Sequence, residues 1–480
     1  MAQVTLNNRI HTVPEGTRLS ALLPDLPHPC GGKGVCGKCK VRAWGELSPL
    51  SSEEQRHLTA LEITDGIRLA CCTMVQGACR VQTRSAEPMV VCLEGEAPAR
   101  VRPGFARYGA AVDIGTTTLA AQLYAADGAL LAEIGAPNPQ AAFGADVISR
   151  VEATLKGSPT TKAIRTGLSR LLTALTAQAG LAPGDLDEIV ITGNTVMLTL
   201  LTGRDVTPFA TAPFTGHSRF GERISLPDYP GVAVYLAPCV SAFIGGDTAT
   251  ALLATDLNQG ELLLDIGTNG EMVLNANGKL YACSTAAGPA FEGVGISCGM
   301  VAAPGAIDRV ELVNGALYPH VIGGAEATGV CGSGLVDGLA CLAMLGETAP
   351  VPLAPGISLT AEDVAALLTS KSAIRSGIDT LLHTAGMPVT DLTGIKVAGG
   401  FGRYLNIQNA IHIGLLPPIL PERIDPVGNA ALSGAVRLLL DTALRETASR
   451  LLDAVEVVDL AQSPYFATRF FENMTLEVPQ

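Results

Sequence analysis

Ala110-Ala-Val-Asp113-Ile-Gly-Thr-Thr-Thr118 and Leu262-Leu-Leu-Asp265-Ile-Gly-Thr-Asn-Gly270 are one pattern used twice, 152 residues apart. Each starts as an apolar run, as a buried strand does, and breaks at Asp-Ile-Gly-Thr. Such a break makes a phosphate-binding turn. Gly115 and Gly267 let the backbone approach a phosphate, and Thr116, Thr117, Thr268 and Asn269 follow in the donor positions. Asp113 and Asp265 can hold Mg²⁺ directly or through water. Each copy runs on into an alternating strand and a tight turn, Ala126-Asp127-Gly128 or Asn275-Ala-Asn-Gly278, the latter a strong hairpin signal. Two copies of one supersecondary unit predict a duplicated α/β architecture. Helical periodicity at 147–178, 248–255, 361–382 and 429–442 fills the spaces between strands.

Further pieces suit the same cleft. Val397-Ala-Gly399-Gly400-Phe-Gly402 ends a strand with glycines suited to close contact with an adenosine. Cys331-Gly332-Ser333-Gly334 precedes a helix whose N–H groups could meet phosphate or ribose. Gly245-Gly-Asp247 opens the helix before the second phosphate strand. Asp247 is either a helix N-cap or a carboxylate that orients the attacking water or the metal's water shell. Glu271, just beyond the second turn, could do the same work or be an exposed strand residue.

The front of the chain reads differently. Two short alternating segments flank Asn7-Asn8, a Pro/Gly-rich loop follows, then a polar helix near 52–61 and a strand at 79–83. That order predicts a small β-grasp domain. Within it, Cys30-Gly-Gly-Lys-Gly-Val-Cys36-Gly-Lys-Cys39 is a C-x5-C-x2-C run close to the plant-type 2Fe–2S spacing. A four-cysteine zinc site is the rival, but structural zinc prefers two close-spaced pairs and only one is present. The fourth thiol is Cys71 or the adjacent Cys72 by spacing alone, with Cys79 an outside candidate.

Composition sets the limits. The 480 residues are 48% hydrophobic and 16% charged, which excludes a disordered chain, and 53 glycines without a three-residue period exclude a collagen. Net charge is −13, with ten basic and seven acidic residues in 1–84 and a strongly acidic remainder. An acidic body argues against nucleic acid as a partner. No apolar run is long enough to span a bilayer, and the N-terminus lacks the apolar core of a signal peptide, so the expected location is the cytoplasm. The expected domains are 1–84 (2Fe–2S ferredoxin-like), 85–107 (linker), 108–256 (first ATPase half) and 257–480 (second half).

Taken together, the paired Asp-Ile-Gly-Thr turns, Val397-Ala-Gly-Gly and Gly428-Asn-Ala-Ala-Leu-Ser-Gly resemble the ASKHA superfamily of sugar kinases, chaperones and actin. A ferredoxin-like front on such an ATPase is similar to the reductive activators of corrinoid enzymes. Gly31-Gly-Lys-Gly-Val-Cys-Gly-Lys-Cys, Arg68-Leu-Ala-Cys71, Ile191-Thr-Gly-Asn and Gly288-Pro-Ala-Phe-Glu-Gly carry that resemblance. So do Asn138-Pro-Gln with Phe-Gly-Ala-Asp-Val-Ile-Ser-Arg150, and Gly332-Ser-Gly-Leu-Val-Asp337. The resemblance implies an α+β β-grasp 2Fe–2S domain followed by a duplicated, RNase H-like α/β ATPase. Its cofactors would be a 2Fe–2S cluster, ATP and Mg²⁺, with Asp247 at the position of the catalytic aspartate of sugar kinases and Cys71 as fourth cluster ligand. The implied activity is one-electron, ATP-dependent return of a Co(II) corrinoid protein to Co(I) for methyl transfer. A low-potential electron donor and a homodimer are implied as partners. Two features depart from the pattern: Cys72 stands where a Gln is expected, and the linker is too short for the additional domain some members carry. The alternatives are an ATP-gated electron donor to another low-potential enzyme, or a small-molecule kinase with a regulatory cluster.

Overall fold

The computed structural model describes residues 1–7, 9–23, 26, 30–83, 93, 100–216, 218–346 and 349–476. Most of the linker expected at 85–107 lies outside the described residues. Two compact units emerge, 1–88 with 139–164, and 89–138 with 165–480.

In the first unit, strands β1 (Ala2–Leu6), β2 (Arg9–Val13), β3 (Lys40–Leu47), β4 (Ile67–Leu69) and β5 (Val75–Gln82) form one sheet in the order β2-β1-β5-β3-β4. β1 and β5 run parallel at its centre, the mark of a β-grasp. β5 begins four residues before the strand expected at 79. Alternation along it buries Val75, Cys79 and Val81 against Val4, Leu19 and Leu69. The expected polar helix is two short ones, Ser52–His57 and Ala60–Thr64. Ser51 caps the first in a reciprocal capping box with Glu54.

Glu54 is fully buried and ties the unit together. Its carboxylate receives two bonds from Arg68 (2.8 and 3.0 Å), the N–H groups of Ser51 and Leu69, and the Thr73 hydroxyl. Burial alone would raise this carboxyl, but Arg68 and the backbone donors hold it below the usual range. Leu69 and Thr73 bracket Cys71 and Cys72, so this ion pair holds the second cysteine segment in place. Removing one partner of a buried pair costs about 3–5 kcal/mol. Glu54→Ala is expected to lower the melting temperature of this unit and its retained iron together, whereas Gln55→Ala, one residue away on the exposed side, should change neither.

The second unit contains two sheets of matching topology. In the first, β6 (Tyr108–Ile114), β7 (Thr118–Ala125) and β8 (Leu130–Pro137) are antiparallel neighbours. β9 (Glu188–Gly193) and β11 (Ala233–Leu236) then continue parallel to β6, with β10 (Glu222–Ile224) on the edge. Three-stranded β15 (Ala306–Val313), β16 (Ala316–Val321) and β17 (Gly329–Val330), and the hairpin β18 (Val351–Ala354) and β19 (Ile357–Leu359), are insertions in the second half. Its main sheet repeats the pattern. β12 (Glu261–Ile266), β13 (Gly270–Ala276) and β14 (Lys279–Thr285) are antiparallel, and β20 (Gly394–Ala398) and β21 (Ile424–Gly428) run parallel to β12. β22 (Val455–Val457) is added outside β14.

The register makes the duplication quantitative. Asp113 lies opposite Thr192, just before Gly193-Asn194, and Asp265 lies opposite Ala398, just before Gly399-Gly400. Each Asp-Ile-Gly-Thr turn therefore shares the carboxyl end of its sheet with the turn after the neighbouring parallel strand, where ligands of open α/β sheets bind. Helices Gly246–Thr255 and Ala430–Leu440 cross so closely that a Cβ at Gly434 would lie 1.9 Å from the Thr250 carbonyl oxygen. No helix among the described residues is long and apolar enough to cross a membrane.

Candidate cluster loop and nucleotide cleft

The loop from Cys30 to Cys39 turns through left-handed backbone at Gly31, Gly32, Gly34 and Gly37, conformations that cost glycine little. It delivers its thiols in pairs. Cys39 Sγ lies 3.2 Å from Cys71 Sγ, both buried. Cys30 and Cys36, half-buried, form the second pair. Hydrogen bonding from Cys36 draws the Cys30 thiol down to about 4, and Cys71 lowers Cys39 in the same way. Among the described residues no three His, Cys, Asp or Glu side chains converge on one point, as a single tetrahedral zinc would require. Two thiol pairs fit two irons.

Cys72 Sγ is 3.7 Å from Cys71 Sγ and lies beside Gly34 and Glu53: a Cβ on Gly34 would sit 3.0 Å from it. Cys79 is a buried strand residue packed against Gly45. The loop also has a cover that its local sequence does not reveal. A Cβ on Gly31 would lie 3.3 Å from the Phe143 carbonyl oxygen. The Phe143–Arg150 stretch is fixed by Asp146, which caps the helix Val147–Leu155, and by buried Arg150, which donates to the Gly144 carbonyl at 3.0 Å.

In the second unit, four of the expected site residues meet. Asp113 and Asp265 are the penultimate residues of β6 and β12, Asp247 stands in the first turn of Gly246–Thr255, and Glu271 is the second residue of β13. Burial and the nearby Asp247 push Asp113 up to about 7, and burial with Asp247 and Glu292 does the same to Asp265. Burial raises Asp247 to about 6, and burial with Asp247 and Asp265 drives Glu271 well above the usual range. These four carboxylates form no ion pair among the described residues, and Asp113 Oδ1 is buried with no hydrogen-bond partner. A buried, unpaired acceptor among mutually repelling carboxylates is chemically suited to a cation. No three of them form a protein cage, which suits Mg²⁺, an ion that keeps several waters and is held by one or two carboxylates plus phosphates.

Asp247 is not the N-cap that one sequence-based reading allowed. Gly245 occupies that position, and Asp247 Oδ1 accepts from the Thr248 N–H at 2.7 Å. Gly245 is glycine because a Cβ there would approach Asn194 Cα and Asp247 Oδ1 to 2.6 Å. Gly399 has φ +84° and would place a Cβ 2.8 Å from Asp265 Oδ1, while Gly400 is exposed one residue on. The Cys331–Gly334 segment opens the helix Gly332–Leu345, as its sequence predicts. The Ser333 hydroxyl donates to the Asp308 carbonyl, and Gly332 and Gly334 permit close packing on Phe291, Phe401 and Ile307.

Family models match most of the chain: a 2Fe-2S iron-sulfur cluster binding domain at 4–76, the RACo middle region at 108–260, and the C-terminal, ASKHA domain of RACo at 259–352 and 347–479. The corrinoid activation enzyme RamQ of Eubacterium limosum is 32% identical over 413 residues, covering 76% of this chain and 70% of that protein. The chain belongs to the RACo family. A [Co(II) methylated amine-specific corrinoid protein] reductase of Methanosarcina barkeri is 30% identical over 57% of this chain, which spans 58% of that protein. The solved structure of a reductive activator for corrinoid, iron-sulfur protein superposes with a TM-score of 0.71 at 26% identity, over 99% of this chain and 98% of the other. The ferredoxin front and duplicated ASKHA body expected from the sequence are the fold of this RACo chain.

Three residues of the cleft escaped the sequence analysis as site residues. Asn138 braces the first phosphate turn, its amide donating to the Gly115 carbonyl (2.8 Å) and its N–H to that of Thr117 (2.9 Å). Asn429 caps its helix through Leu432 and donates to Asp113 Oδ2 at 3.2 Å. Glu292 accepts the hydroxyls of Thr117 and Thr268, one from each turn.

Proposed function

We infer that the chain is an ATP-dependent reductive activator, returning a corrinoid protein from Co(II) to Co(I) so that it can accept a methyl group. The observation that carries this is the presence, in one RACo-family chain, of two thiol pairs and a doubled, carboxylate-lined phosphate cleft. Cys30, Cys36, Cys39 and Cys71 would hold the cluster, which when bound supplies one electron at a potential near −400 mV. The Co(II)/Co(I) couple is expected to lie lower, and each ~59 mV of one-electron mismatch is a tenfold handicap. Nucleotide must therefore bias a conformation that favours transfer.

In this reading Asp113 and Asp265 position Mg²⁺ on the phosphates. Gly115, Thr116, Thr117, Gly267, Thr268 and Asn269 donate to phosphate oxygens, and Gly399-Gly400 accommodates the adenosine. Asp247, assisted by Glu271, orients the attacking water. The partners are a corrinoid protein and an upstream low-potential donor, and the chain acts as a homodimer in the cytoplasm, where its cysteines stay reduced. Every described cysteine is free, which supports that location.

Mixing the pre-reduced protein with a Co(II) corrinoid protein should give the Co(I) absorbance only when Mg-ATP is present. Phosphorylation of a small molecule in place of free phosphate release would favour a kinase. Linkage adds a second expectation: if ATP changes affinity for the corrinoid protein, the corrinoid protein must change affinity for ATP by the same factor. Full-length Cys36→Ser should accordingly keep partner-dependent ATP hydrolysis while producing no Co(I).

A further inference from the structure

Gly288-Pro-Ala-Phe-Glu292-Gly follows the second phosphate hairpin and has no role in the assignments above. It is held rigidly. The Gly288 N–H donates to the Thr268 carbonyl at 2.9 Å, and the short helical turn Ala290–Glu292 ends at Gly293 in left-handed backbone. Phe291 is buried, its ring 5.5 Å from that of Phe401, the residue after Gly399-Gly400. Glu292 is thereby presented to both phosphate turns. Its Oε2 accepts the Thr268 hydroxyl at 2.8 Å and the Thr117 hydroxyl at 3.3 Å, and a Cβ on Gly267 would lie 3.6 Å from its Oε1.

We propose that Glu292 is an internal substitute for nucleotide phosphate, a carboxylate latch that accepts the Thr117 and Thr268 hydroxyls and must be displaced when ATP binds. This rests on the assignment of the cleft to ATP. A carboxylate and a phosphoryl oxygen are both anionic acceptors seeking the same hydroxyls, so they exclude each other by donor competition and by like-charge repulsion. Accepting from both turns at once, Glu292 also bridges the two halves of the cleft. Its departure would free the turns to close on phosphate. Since Phe291 touches Phe401, adenosine seated at Gly399-Gly400 bears on the segment that carries the latch. Glu292 is therefore a positioning residue that sets nucleotide affinity and the exchange of ADP for ATP.

Glu292→Gln keeps an acceptor of the same shape but removes the charge. In the full-length protein with normal cluster absorbance, this variant is expected to bind Mg-ATP about tenfold more tightly by titration calorimetry and to release ADP about tenfold more slowly. Affinity for AMP, which has no β- or γ-phosphate to compete, should stay within twofold. A structural brace would move AMP and ATP affinities together, and that result overturns the proposal. So does unchanged or weaker Mg-ATP binding. Glu292→Asp, with a shorter reach and the charge retained, gives an independent arm: it should bind Mg-ATP more tightly than wild type but less tightly than Glu292→Gln, and affinity at or below wild type overturns the latch. The Asp113→Asn variant separates the two readings. If wild type binds no nucleotide, or if Asp113→Asn hydrolyses ATP normally, the assignment of the cleft fails. If those controls behave and the Gln variant does not tighten, the latch alone fails.

Discussion

Asp247→Asn is expected to slow ATP hydrolysis by about 10³-fold while leaving Mg-ATP affinity within a few-fold of wild type. That ratio corresponds to ~4 kcal/mol of transition-state stabilisation, and the split between turnover and binding marks an interaction made only in the transition state. The neighbouring carboxylates should answer in the opposite sense in a second measurement. Burial and neighbouring carboxylates raise Asp113 and Asp265 to about 7, whereas an unfolded aspartate titrates near 3.9. A group raised on folding contributes stability below its unfolded pKa and loses that contribution as pH rises through its folded value. The nucleotide-free protein should therefore lose stability between about pH 4 and pH 7. Asn cannot ionise, so Asp265→Asn should melt above wild type at pH 8, by roughly 2–4 °C for each kcal/mol recovered, while its hydrolysis collapses. Mg-ATP should reverse the order, because the cation compensates the ionised pair in wild type alone. Thermal melts at pH 5 and pH 8, with and without Mg-ATP, make the comparison. A variant that melts below wild type at pH 8 without nucleotide would show that Asp265 is not held under electrostatic strain.

The second large effect concerns iron. Serine at Cys30, Cys36, Cys39 or Cys71 should each abolish the stable 2Fe–2S absorption and with it Co(I) production, because a missing thiolate opens an iron to water. Cys72→Ser should keep both, since the Cys72 thiol lies beside Gly34 and Glu53 and Cys71 is the thiol paired with Cys39. The 3.7 Å between Cys71 and Cys72 makes this a demanding comparison. Loss of absorption in Cys72→Ser with retention in Cys71→Ser would reverse the ligand assignment, and zinc without iron would reject electron transfer.

What could be read in the sequence was whatever a short stretch of backbone must do. The doubled Asp-Ile-Gly-Thr gave the duplicated sheets because a buried strand ending in a glycine turn is a local requirement. The C-x5-C-x2-C run gave the cluster loop because its glycines must turn left-handed within ten residues. Boundaries were less legible: helical periodicity continued through 147–178, yet Gly157 and Pro159 divide it into Val147–Leu155 and Thr160–Gln178.

Tertiary structure alone decided the roles that depend on distant partners. Thr117 and Glu292 are 175 residues apart, and Asn429 and Asp113 are 316 apart. Neither a Glu after a Phe nor an Asn before a helix announces which side chain it will meet. The pairing of Cys39 with Cys71, and the choice between the two readings of Asp247, have the same origin. Propensity and turn chemistry act over a few residues, whereas hydrogen-bond partners and the electrostatic strain on a carboxylate are fixed only when separate strands bring their ends together.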